Sequence, residues 1–327
     1  VTLVLLGAAV VVGLSALAVR IFNQPDTDLT TTGFPTSTPT TSWSASTPTW
    51  SPSPSATPTW SSAAPTNSPT ATPSTTVTPP RRTPAGPSDS DVIGKNRIYS
   101  VGAQASVSCR ESNARPSDKN GTRIYYQRLK ECLDRAWPGQ VRKAGGEFRP
   151  PTVLMISGSV ETPCGQYVRA FYCGKTETIY MRWEDDVRQY TKFPERFQKV
   201  YARMFTSFQF SHEYGHHVQQ LTGILGSYWN LRYAASESKA LEYSRRAELQ
   251  ASCFASVFMG ANQPSYPITG EARSQWMWLV DHYGDEYGEG VRDHGSRKNH
   301  GYWARRGFRS ESPSTCNTFT APSSRVS

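Results

Sequence analysis

From residue 24 to about residue 90 the chain is dominated by Ser, Thr and Pro. Few aliphatic side chains and a proline every few positions leave little burial to offset an ordering cost of roughly 1–2 kcal/mol per residue. Residues 21–90 therefore read as a disordered stalk, extended and semi-stiff, with Ser/Thr tracts that are candidates for O-glycosylation. Thr47-Pro48-Thr49-Trp50 returns as Thr57-Pro58-Thr59-Trp60, a slipped repeat rather than a solenoid unit. What is left to bury a core is 91–327, one domain somewhat above the usual size.

Ahead of the stalk, residues 1–19 are apolar and uncharged (VTLVLLGAAVVVGLSALAV). At helical rise they reach about 28 Å, the thickness of a bilayer's hydrocarbon core. Residues 1–20 are read as a transmembrane anchor, with a cleavable signal segment as the alternative, because Ala16-Leu17-Ala18 resembles a small-residue cleavage site. The expected location is the cell membrane, single-pass, with the domain extracellular; the alternative is secretion after cleavage. All six cysteines (Cys109, Cys132, Cys164, Cys173, Cys253, Cys316) fall in the domain. An even count in an exported domain reads as three disulfides, and the fifteen pairings stay open on spacing alone, although Cys164 and Cys173 are close enough to staple a hairpin. The net charge is +9, and the three Arg and three Asp of residues 1–90 cancel, so the excess sits on the domain. That charge suits an anionic cell-wall polymer or lipid head groups, or only a soluble surface. Without a Lys/Arg run interleaved with aromatics, nucleic acid is not an expected partner.

Within the domain the pattern predicts mixed helix and strand, an α+β fold. Apolar residues at helical spacing run from Ile124 to Trp137, stopped by Pro138-Gly139. Residues 152–156 form a short buried strand and 167–182 a hairpin turning at Gly174-Lys175. A long helix starts at Pro194, with Phe197, Tyr201, Met204, Phe208, Ser211 and Gly215 on one stripe and a stop at Gly223. Another runs from about Ser236 to Gly260, and Trp276 to Val280 marks a further core helix.

The first long helix carries His212-Glu213-Tyr214-Gly215-His216, an H-E-x-x-H motif. Residues four apart share a helix face, so both imidazoles reach one ion, and the intervening glutamate is placed to take a proton from an attacking water. A catalytic zinc needs a third protein ligand. Glu248, in the middle of the next helix, is flanked on its face by Ser244, Ala247, Ala251, Ser252 and Ala255, small residues that permit close helix approach. The competing role for Glu248 is a surface ion pair with Arg245.

HEYGHHVQ at 212–219 with ELQASCF at 248–254 resembles a bacterial family of neutral zinc metallopeptidases. Shorter matches occur at Tyr99–Gly102, Thr162–Gly165, Ala170–Cys173, His294–Ser296, Trp303, Arg306–Phe308 and Cys316–Phe319. The resemblance implies a gluzincin-like domain, with a small β sheet or hairpin and metal-binding helices. Zn2+ would be held by His212, His216 and Glu248, and Glu213 would be the general base. It also implies the disulfides Cys109–Cys132, Cys164–Cys173 and Cys253–Cys316. One position departs: such families usually carry Asp four residues after the ligand glutamate, where this chain has Ser252. Losing a partner of that kind commonly costs 10- to 100-fold in metal affinity or activity. His294 is a candidate to stabilise an oxyanion, and Tyr172 a weaker one. His217 points about 100° away from the ligand face and reads as a core residue. The strand around Ala170–Tyr172 is a candidate edge for an extended peptide. The expected function is extracytoplasmic, zinc-dependent hydrolysis of peptides or proteins. The alternative is a catalytically weakened zinc scaffold or a cell-wall-binding module.

Overall fold

The computed structural model describes residues 86–287 and 291–327. The apolar run 1–19 and the stalk up to residue 85 lie outside the described residues. Among the described residues no helix is long and apolar enough to cross a membrane.

Helices dominate. In order they are α1 (Asp89–Gly94), α2 (Lys119–Ala136), α3 (Pro138–Lys143), then after the strands α4 (Trp183–Lys192), α5 (Arg196–Leu221), α6 (Ile224–Ala234), α7 (Glu237–Asn262), α8 (Gly270–His282) and α9 (Arg297–Ser310). Five short strands lie between α3 and α4: β1 (Thr152–Ile156), β2 (Val160–Thr162), β3 (Gly165–Tyr167), β4 (Phe171–Cys173) and β5 (Thr178–Arg182). The fold is α+β, as the sequence pattern predicts.

Several boundaries move for local reasons. The first helix starts at Asp89 with Ser88 capping the Asp91 amide, so order begins inside the segment assigned to the stalk. Helix α2 starts five residues before Ile124, because the Asp118 carboxylate accepts from the Gly121 amide at 2.8 Å. The 167–182 hairpin is shorter than expected: only β4 and β5 pair antiparallel, while Tyr167 belongs to the separate β2–β3 ribbon. β5 is the middle strand of the sheet β1-β5-β4 and pairs parallel with β1. One face of β5 packs Ile179 and Met181 into the main core and the other packs Tyr180 with Ile156, Phe171 and Cys173, so Thr178, Ile179, Tyr180 and Met181 are all buried rather than alternating.

The three disulfides are Cys109–Cys132, Cys164–Cys173 and Cys253–Cys316, the pairing the family resemblance implies. The last joins the middle of α7 to the C-terminal segment across 63 residues of sequence. Tyr167, Phe171 and Tyr180 stack beside the second bridge at centroid spacings of 3.7 and 4.6 Å.

Helices α5 and α7, each 26 residues long, form the centre of the core. A capping box sets the start of α5: Glu195 and Gln198 exchange side-chain and backbone hydrogen bonds. Gly223, at φ +80°, ends the following turn in a left-handed conformation. Asp186 of α4 is buried and accepts from Tyr126 of α2 and from Thr206 of α5 at 2.8 Å, which ties three helices together. Helix α9 lies against α7 by glycine contact: a Cβ on Gly307 would stand 2.4 Å from the Cys253 carbonyl oxygen. Gly226 in α6 is exposed, with open space where its Cβ would go.

Gly307→Ala should therefore lower unfolding free energy by about 1–3 kcal/mol through overpacking. Gly226→Ala should raise it by up to about 1 kcal/mol through helix propensity. Urea denaturation of the two variants checks the pair, and equal effects would contradict the packing account.

Candidate metal centre

The H-E-x-x-H sequence occupies the C-terminal half of α5, where the helix is buried on nearly every side. His212 Nε2 and His216 Nε2 are 3.2 Å apart. Glu248 Oε2, reaching across from α7, lies 3.1 Å from the first and 3.2 Å from the second. Gly215 makes that approach possible, since a Cβ there would stand 2.7 Å from the Ala251 carbonyl oxygen and 3.0 Å from its Cα. Arg245, the competing partner for Glu248, is directed elsewhere and donates to the carbonyls of Val326 and Arg292.

Hydrogen bonds behind the rings fix what they present. Gln219 donates its amide to the Ala247 carbonyl at 2.8 Å, which leaves its oxygen to accept from His216 Nδ1 at 2.8 Å. His216 therefore carries a proton on Nδ1. The support continues outward, because Gln219 also donates to Gln250, whose own amide donates to the Tyr99 hydroxyl and the Cys316 carbonyl. His212 Nδ1 is 3.0 Å from Ser252 Oγ, so the serine at the departing position does contact the first histidine.

Two imidazole nitrogens and a carboxylate oxygen thus meet at one buried point. Such acceptors repel unless a proton or a cation sits between them. A tetrahedral shell with bonds of about 2.0–2.1 Å separates its ligand atoms by about 3.3 Å, close to these spacings, and N/O donors of this kind suit zinc. The residues present fit the ion.

The electrostatics agree. Burial pulls His212 down to about 4. Burial also acts against charge on His216, but the Glu248 carboxylate outweighs it and holds that ring up at about 9. Burial opposes ionisation of Glu248, yet His216 and His294 keep it well below the usual carboxylate range. Glu213 is pushed up to about 7 by burial, with partial relief from His216 and His294.

His294 stands at the rim. Its Nε2 lies 3.6 Å from Glu248 Oε2 and its Nδ1 2.6 Å from Asp293 Oδ1. Asp285 holds the loop by accepting the backbone N–H groups of His294 and Gly295. His217 is buried with both nitrogens engaged, donating from Nε2 to the Arg149 carbonyl and accepting the Tyr172 hydroxyl at Nδ1, 2.9 Å away. It is a core residue, as its helical angle predicts. Tyr172 is corrected as an oxyanion candidate, because its hydroxyl proton is committed to His217. Gln219 and Gln250 escaped sequence reasoning although both lie inside the quoted motifs. The one-turn spacing of Gln219 from His216 was the available signal.

Residues 88–277 match the family described as "Putative neutral zinc metallopeptidase". The chain belongs to this family. Its cofactor is accordingly Zn2+. Among curated proteins, "Uncharacterized protein YpfJ" of Escherichia coli (strain K12) is 30% identical over 197 residues, covering 56% of this chain and 66% of that protein. "Uncharacterized protein Rv2575" of Mycobacterium tuberculosis is 32% identical over 114 residues, covering 34% of this chain and 36% of its own length. This chain thus spans just under two thirds of the first relative. No solved structure matches.

Metal loading must displace the proton that Glu248 holds on His216. Because that pKa is raised to about 9, apparent zinc affinity should climb roughly tenfold per pH unit from pH 7 and level off near pH 9. Chelator competition across that range measures it, and a flat profile would contradict the assignment.

Proposed function

We propose that the chain is an extracytoplasmic zinc peptidase in which His212, His216 and Glu248 hold the ion and Glu213 is the general base. The observation that carries the reading is the meeting of Nε2, Nε2 and Oε2 within 3.1–3.2 Å at the junction of α5 and α7. Ligation from two helices in this way is the gluzincin-like arrangement. When bound, zinc supplies Lewis acidity that acidifies water and polarises a peptide carbonyl.

The protein's own groups do the rest. Glu213, raised to about 7 by burial, is suited to accept the proton of the attacking water and deliver it to the leaving amine near neutral pH. His294, held by Asp293 at Nδ1, can donate from Nε2 to the oxyanion that develops on the carbonyl. Among the described residues β4 pairs with β5 alone, so its other edge can take an extended peptide by strand addition. Peptide or protein is the substrate class.

Placement outside the cytoplasm rests on the three disulfides together with the apolar run and stalk composition. On that reading residues 1–20 attach the chain to the membrane, 21–90 give reach, and 91–327 carry the enzyme. An anionic cell-wall polymer as partner rests on net charge alone. The second reading, a zinc scaffold weakened at Ser252, is disfavoured by the hydrogen bond between Ser252 and His212.

Glu213→Gln should keep one zinc per chain while lowering kcat about 10²- to 10⁴-fold on a general peptide substrate. Full turnover in that variant would overturn the base assignment, and zinc without turnover in the wild type would favour the scaffold.

A further inference from the structure

Ser252, which stands behind His212, does not act alone. Its hydroxyl oxygen is 3.1 Å from Nε2 of His300, a residue of α9. Ser252 and His300 are each only 1% exposed. The His300 ring packs on Phe208 and Tyr283, at centroid distances of 5.4 and 5.0 Å, an apolar setting that favours the uncharged ring.

The direction of every proton in this chain of contacts follows from one fixed end. His300 Nδ1 is 2.7 Å from the Val280 carbonyl oxygen, which can only accept, so Nδ1 carries the ring's proton. Nε2 of an uncharged His300 is then a lone pair and accepts the hydrogen bond that the Ser252 hydroxyl donates. A serine hydroxyl has one hydrogen bond to donate. With that bond directed at His300, Ser252 can only accept from His212 Nδ1, 3.0 Å away. His212 is left with its proton on Nδ1 and a lone pair on Nε2, aimed at Glu248 and His216.

We propose that Ser252 and His300 form an uncharged relay, anchored on the Val280 carbonyl, that positions His212 and fixes the tautomer in which it can hold zinc. This rests on the reading of His212 as a ligand given above. Ser252 and His300 are positioning residues, and neither meets the substrate. Ser252 by itself would not suffice, because a hydroxyl without an acceptor behind it can donate to His212 as readily as accept, which would admit the tautomer with Nε2 blocked by a proton. His300 removes that choice.

The test uses the full chain, with inorganic zinc as the probe. Nitrogen-15 spectra of the six histidines should show His300 protonated at Nδ1 and bare at Nε2 in the metal-free protein, and His212 protonated at Nδ1 in the zinc-loaded protein. Ser252→Ala and His300→Phe should each weaken zinc binding 10- to 100-fold. The double variant should lose no more than the worse single variant, because either change breaks the same relay. His300→Gln, which keeps one donor and one acceptor, should recover part of the loss and guards against a His300→Phe variant that fails to fold. A proton on Nε2 of His300, multiplying losses in the double variant, or zinc affinity within twofold of wild type in Ser252→Ala would each overturn the relay. A wild-type chain that binds no zinc would instead sink the metal-site reading, while the His300 spectrum still decides the direction of the relay.

Discussion

A carboxylate oxygen and two imidazole nitrogens, all drawn to one point between α5 and α7, create the constraint from which the remaining organisation follows. Such a cluster is unstable without positive charge, so a protein that builds it must hold each member against mutual repulsion. Gly215 gives up a side chain so that α7 can come within reach. The small residues Ala247, Ala251 and Ser252 do the same from the other side. Packing and chemistry are here the same requirement, since any thicker interface would carry Glu248 out of range.

The two rings are held by different means. His216 is backed by amides, through Gln219 and Gln250 to Tyr99 and the Cys316 carbonyl. His212 is backed by a hydroxyl and a further imidazole from α9. Both supports end on groups brought from far along the chain. The Cys253–Cys316 bridge and the Gly307 contact therefore matter to the metal centre as well as to stability, because they hold in place the segments on which those supports terminate. Among the described residues no carboxylate stands directly behind Nδ1 of either ring. The only formal negative charge among the three proposed ligands is that of Glu248.

Much of this was legible in the sequence, and for identifiable reasons. Helices α2, α5, α7 and α8 announce themselves by apolar spacing, and the four-residue step from His212 to His216 places both rings on one face whatever else the fold does. Glu248 was legible mainly through the resemblance of ELQASCF to the metallopeptidase family, with the small residues around it in support. Helices α4, α6 and α9 were not. α4 buries only Asp186, α6 begins directly after the glycine that reads as a stop, and in α9 the buried His300, Trp303, Ala304, Gly307 and Phe308 are interleaved with arginines that mask the stripe. His300 could not be assigned without α9, since its partners come from α7 and α8. Tyr172 was overvalued because its commitment to His217 depends on how the sheet docks against α5.

X-ray absorption at the zinc edge of the purified, loaded chain tests the central claim most directly. The account predicts one zinc with two imidazole nitrogens and oxygen ligands from Glu248 and water at about 2.0–2.2 Å, and in Glu248→Ala a shell with one ligand fewer or no metal at all. A shell unchanged by that substitution, or one containing sulfur, would contradict it.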